Sequence, residues 1–288
     1  MLWLTGGVLA TGVIVALGLQ AGAGHLRRYP AEVVALDRYA DYRDSAEFTA
    51  SNRRDSCFLM RTTPGGFAAY DKDLCLGGTA RDGPGLASRD DPTPRVLMIG
   101  DSLSAHLWAA LAKSRPDLQV LQATAAGCPP LVTATLYPAC DALMHYVLTD
   151  WIPQNPPETV VLSAQWRGTQ AADLRATIAA LKADGVGQVV VLGPTVEYQA
   201  ALPKLLARDL LNGSDTAAGL NDPERWQLDR AMAAMVTGAG AKYVDMLAVI
   251  CPDGTCQTRV DGTPKEFDER HYTVEGAAFV ASRIAREF

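Results

Sequence analysis

The sequence predicts an α/β fold with a parallel sheet from residue 93 to residue 288, and three observations carry that reading. Short apolar runs of strand length recur at 96–99, 159–162 and 188–192. Amphipathic segments of helical length separate them. A Gly-Asp-Ser turn at 100–102 joins the first run to the first helix. Strands spaced by helices in this way imply a parallel sheet covered on both faces.

Taken in order, Val96-Leu97-Met98-Ile99 is the first strand. A helix from Leu103 to about Lys113 follows, with Leu103, Leu107, Ala110 and Leu111 on one face. Gln119 to Gln122 and Thr159 to Leu162 read as the second and third strands. Ala171 to Ala183 is a helix stopped at Asp184-Gly185, and Gln188 to Leu192 is the clearest strand. Helices are expected over Leu202 to Leu211 and Pro223 to Val236, then a strand at Tyr243 to Met246 and a closing helix at Val274 to Glu287. Residues 25–92 are rich in turn-formers, including Gly65-Gly66, Gly77-Gly78 and Gly83-Pro84-Gly85. They read as a loop-rich extension with one helix near Ala31 to Arg43.

The chain has 288 residues, 48% hydrophobic and 20% charged, with a formal net charge of −6. That composition fits a folded globular protein and argues against disorder. No Lys/Arg-rich run supports a nucleic-acid partner. From Leu2 to Ala23 there is no charged residue, so 1–24 reads as a transmembrane helix or signal anchor, or as a cleaved signal ending near Ala21-Gly22-Ala23. Arg27 and Arg28 follow it with no basic residue before it, which by the positive-inside rule puts the remainder in the cytoplasm. The cysteines oppose this. Cys57 and Cys75, Cys128 and Cys140, and Cys251 and Cys256 are local pairs, with no Cys-x-x-Cys and no His at zinc spacing. Such pairs read as disulfides and not as metal ligands, although six cysteines allow fifteen connectivities. We give the cysteines the greater weight: an inner-membrane anchor, with the folded part periplasmic or extracellular.

Chemistry concentrates at two places. Ser102 sits where a buried strand turns into a helix, at the carboxyl end of a parallel sheet, where open α/β folds bind ligands. The helix N-terminus there favours a developing oxyanion. Asp101 or Ser102 could equally be a helix cap. Asp268-Glu269-Arg270-His271 decides between them: an Asp three residues before a His can hold the imidazole and leave its other nitrogen to take a serine proton. Packing or surface roles suit His25, His106 and His145 better.

These pieces resemble the SGNH hydrolases, also called the GDSL family. VLMIGDSLSAHL, AAGCPPL (Ala125 to Leu131), VVLSAQW (Val160 to Trp166), the Cys251–Cys256 pair and DERHYTVEGA are similar to the periplasmic SGNH domain fused to membrane acyltransferases that O-acetylate cell-surface polysaccharides. The resemblance implies a three-layer α/β/α flavodoxin-like sheet preceded by a transmembrane helix and a disulfide-bearing extension. It implies Ser102, Asp268 and His271 as catalytic residues, and Ser102 and Gly127 as oxyanion amides. The family's Asn is replaced within Ser163-Ala164-Gln165-Trp166, which leaves the third oxyanion donor open; Gln165 is chemically capable of the role. Asp101 and Trp166 are expected to contact substrate. No cofactor or metal is called for.

The expected activity is O-acetyl transfer to a polysaccharide acceptor through an acyl-serine. Because the membrane acyltransferase bundle is not part of this chain, a separate one would supply the acetyl group. The rival readings are an acetylesterase and an inactive glycan-binding relative. The intact Ser102, Asp268 and His271 argue against the last.

Overall fold

The computed structural model describes residues 29–77, 92–133 and 135–288. The expected span at 1–24 lies outside the described residues. Among the described residues no helix is long and apolar enough to cross a membrane.

Six parallel strands form the central sheet in the order β1-β3-β2-β4-β5-β6. They are β1 (Phe58–Leu59), β2 (Arg95–Gly100), β3 (Gln119–Ala125), β4 (Thr159–Ser163), β5 (Gln188–Leu192) and β6 (Lys242–Val244). The apolar runs form strands because both of their faces are covered. Leu97, Ile99, Leu121, Val160 and Val191 pack into one core, with Leu143 of the helix Pro138–His145 and Ile178 of Ala171–Ala183. Val96, Met98, Val120, Val161 and Val190 pack into the other, with Leu107 and Leu111 of Ser102–Ser114 and Val280 of Val274–Ile284. Alternate side chains along each strand thus enter opposite layers. The result is the expected α/β/α arrangement.

Residues 29–77 are built into this body. Phe58 pairs with Thr124 and Leu59 with Ala125, so β1 extends the sheet. Cys57–Cys75 staples that strand to the short helix Lys72–Leu76. Cys128–Cys140 and Cys251–Cys256 are also bonded, as proximity suggested.

Several boundaries differ from expectation. The first helix covers only Ala31–Asp37, and Tyr42–Asp44 forms a separate 3-10 turn. The break lets Tyr39 bury its ring and turns the Tyr42 hydroxyl inward, where it accepts from the Val274 amide at 3.0 Å. The last sheet strand stops at Val244 because Asp245 caps a new helix, Met246–Ile250, accepting from the Ala248 amide at 2.8 Å. The helices Ala46–Asn52 and Pro138–His145 have no counterpart in the sequence reading.

The topology places the site. From β2 the chain moves outward to β3, then returns to β4 on the other side of β2. Ligands of open α/β sheets bind at such a switch point, outside the carboxyl ends of the strands. Parallel pairing brings the residues after β1, β2, β3 and β4 to that one edge.

Candidate active site

Gly100 ends β2 with φ +152, and a Cβ there would collide with the Ser163 carbonyl of β4. Only glycine lets the two strand ends approach so closely. Asp101 then caps the helix Ser102–Ser114: one carboxylate oxygen accepts from the Leu103 amide at 2.9 Å and the other from the Gln165 amide at 2.8 Å. Burial pushes the Asp101 carboxyl up to about 6, opposed by those two amide bonds. Asp101 touches the cleft, but backbone donors occupy both of its oxygens. Its visible work is to lock the loop after β4 to the turn that carries Ser102.

Ser102 begins the helix, its hydroxyl half-buried, with Oγ 2.9 Å from His271 Nε2. His271 Nδ1 lies 2.6 Å from Asp268 Oδ2. The other carboxylate oxygen, Oδ1, accepts from the His271 and Arg270 amides at 2.8 and 3.0 Å. Burial alone would raise the Asp268 pKa. The hydrogen bond and charge of His271 and the two amides outweigh it, holding the carboxyl well below the usual carboxylate range. An ionised Asp268 is the partner that fixes the Nδ1–H tautomer and presents Nε2 to the serine. The Phe267 ring stacks on His271 at 5.8 Å between centroids, inclined by 16°.

Two further residues surround the imidazole. His106 has its ring centroid 5.0 Å from that of His271, and burial lowers its pKa well below the ordinary value. Held neutral, it adds no charge when His271 takes a proton. Arg43, from the N-terminal segment, donates to Asp268 Oδ2 at 2.7 Å.

Gly127 follows β3 in a left-handed conformation, φ +65, and lines the same cleft as Ser102 and Gln165. Its loop is clamped twice: Cys128 is bonded to Cys140, and the Tyr137 hydroxyl donates to the Ala126 carbonyl at 2.8 Å. The Gln165 side-chain amide donates to Glu197 Oε1 at 2.5 Å. Glu197 is held in turn by Arg270 Nε at 2.7 Å and, more distantly, by Arg225. The cleft measures about 370 Å³.

Trp166 departs from expectation. It is fully buried, its indole donates to the Leu192 carbonyl at 2.6 Å, and it belongs to the core and not to the cleft wall. An aromatic with a satisfied indole N–H serves packing well. The chain turns there so that Gln165 faces the cleft and Trp166 the interior. Arg43, Arg61 and Met60 were not foreseen, because they come from the segment read as an extension. Arg270 lay within the Asp-x-x-His motif itself.

The family model described as the SGNH domain fused to AT3 domains matches residues 61–286. The chain belongs to the SGNH family. It is an SGNH-type serine acyltransferase or esterase. Its fold is similar to the periplasmic domain of the lipopolysaccharide acetyltransferase of Salmonella ser. Paratyphi A. That match has 21% identity and a TM-score of 0.70, over 86% of this chain and 98% of that one. A carbohydrate acetylesterase from Sinorhizobium meliloti matches at 13% identity and a TM-score of 0.43, over 67% of this chain and 97% of that one. No curated protein matches the chain in sequence.

Proposed function

We propose that this SGNH chain transfers an acetyl group to a hydroxyl of a cell-surface polysaccharide through an acyl-Ser102 intermediate. The observation that carries the reading is the unbroken relay from Ser102 Oγ through His271 to Asp268, at 2.9 and 2.6 Å. His271 Nε2 takes the serine proton as Oγ bonds the acyl carbon. The resulting oxyanion faces the amides of Ser102 and Gly127 and the second N–H of the Gln165 side chain. Collapse breaks the bond to the leaving oxygen, which takes the proton from His271. An acceptor hydroxyl then gives its proton to His271, bonds the acyl carbon and displaces Oγ, which recovers the proton.

The three disulfides support a periplasmic or extracellular catalytic domain, with 1–24 as its tether. A separate membrane acyltransferase would deliver the acetyl group. Water in place of the acceptor makes the same relay an acetylesterase, and the exposed Gly127 at the cleft favours keeping that second reading.

The test measures acetyl-enzyme burst, acetate release and acetyl appearance on a glycan acceptor. Wild type should show a burst and acetylated glycan, and Ser102→Ala should abolish both. A burst unchanged in Ser102→Ala would overturn the mechanism. Acetate without acetylated glycan would move the assignment to the esterase.

A further inference from the structure

Four arginines line the cleft beside Ser102: Arg43, Arg54, Arg61 and Arg270. The protein as a whole carries −6, so this is a local reversal of sign. Asp101 is the one carboxylate lining the cleft among the described residues, and two backbone amides already occupy it.

Three of the arginines are committed. Arg43 pairs with Asp268 at 2.7 Å, Arg54 with Asp44 at 3.1 Å and Arg270 with Glu197 at 2.7 Å. Arg61 is different. It follows β1 at the sheet edge, is exposed, and no carboxylate pairs with it among the described residues. Its guanidinium lies 4.6 Å over the Tyr137 ring, the residue whose hydroxyl clamps the Gly127 loop. One of its terminal nitrogens would stand 3.6 Å from a Cβ placed on Gly127. The cation–π contact holds the guanidinium at the cleft wall, where it is exposed. A planar fork of donors held in this way matches a carboxylate.

We propose that Arg61 binds the carboxylate of an acidic sugar, so that the glycan handled at Ser102 carries a uronic acid beside the acyl-bearing hydroxyl. The inference rests on the reading of the Ser102 site as acting on a glycan. It adds a class of substrate: an anionic polysaccharide over a neutral one.

The experiment pairs a short uronic-acid oligosaccharide with its uronamide twin, which keeps the shape and loses the charge. Binding of both, unacetylated, to the full chain is measured by calorimetry at low and high salt. The acid should bind about tenfold more tightly than the amide, with a preference that shrinks as salt rises. Arg61→Gln should bring the ratio to near one, and Arg61→Lys should keep part of it, because an ammonium retains the charge and loses the fork. Unchanged melting temperature would show that the exposed variant is folded. Equal binding of acid and amide by wild type, or a ratio unmoved by Arg61→Gln, would overturn the proposal. Covalent labelling of Ser102 by a fluorophosphonate reads the nucleophile separately. Loss of labelling would therefore count against the site reading, and loss of the acid preference against Arg61 alone.

Discussion

Arg43 and Asp268, 225 positions apart in sequence, meet at 2.7 Å on the carboxylate oxygen that also accepts from His271 Nδ1. The N-terminal segment therefore reaches the carboxylate end of the relay. Arg43 is half exposed, so the pair contributes little to stability, about 1 kcal/mol or less. Its consequence lies in aligning Asp268. Arg43→Met should lower kcat roughly threefold to tenfold with a melting temperature close to wild type. Steady-state kinetics on a small acetyl ester should show the loss in kcat and not in KM. In a double-mutant cycle the loss should vanish in the Asp268→Asn background. Additive losses would mean that Arg43 acts elsewhere.

Asp268 itself supports a pH prediction. Its folded pKa lies below its unfolded value, so the ionised form contributes stability that is fully present above about pH 4 and is lost as pH falls. Asp268→Asn removes that term. The stability gap between wild type and variant, measured by chemical unfolding, should therefore be largest near neutrality and narrow below about pH 4. At neutral pH the variant should also lose roughly 10³ to 10⁴ in kcat, because an amide can hold the wrong imidazole tautomer. A gap that widens on acidification would contradict the assigned direction.

Gly100→Ala tests the close approach of β2 and β4. The new methyl would meet the Ser163 carbonyl, at a φ that side chains rarely adopt. Both strands lie in the middle of the sheet, so neither can yield cheaply. The expected cost is on the order of 3 kcal/mol or more, read as a fall in the unfolding midpoint or in the yield of folded protein. A near-neutral effect would show that the strand ends are looser than they look.

What the sequence revealed and what it hid follow from the range of the interactions. Ser102 was legible because strand, turn and helix are local patterns, and His271 because its carboxylate lies three residues away. The disulfides were legible for the same reason. The two-residue strand β1 was not, since only its pairing with Thr124 and Ala125 makes Phe58 and Leu59 a strand. Arg43 and Arg61 were hidden because their places in the cleft depend on that docking. Trp166 was misplaced because composition cannot tell which of two neighbours after β4 faces the cleft. The structure gives that place to Gln165.

Gln165 carries the last prediction. Its backbone amide is fixed by Asp101, and its side chain is aimed by Glu197, which Arg270 anchors next to His271. One side-chain N–H goes to Glu197; in the proposed mechanism the other meets charge that develops on the substrate oxygen. A donor oriented in advance helps the transition state more than the ground state. Gln165→Ala should therefore lower kcat by roughly 10² to 10³ with a small change in KM. Glu197→Gln, which can still accept from Gln165 but loses the ion pair with Arg270, should produce a smaller loss in the same parameter. If Gln165→Ala instead raises KM and spares kcat, the side chain grips the bound substrate, and the oxyanion is left to the amides of Ser102 and Gly127.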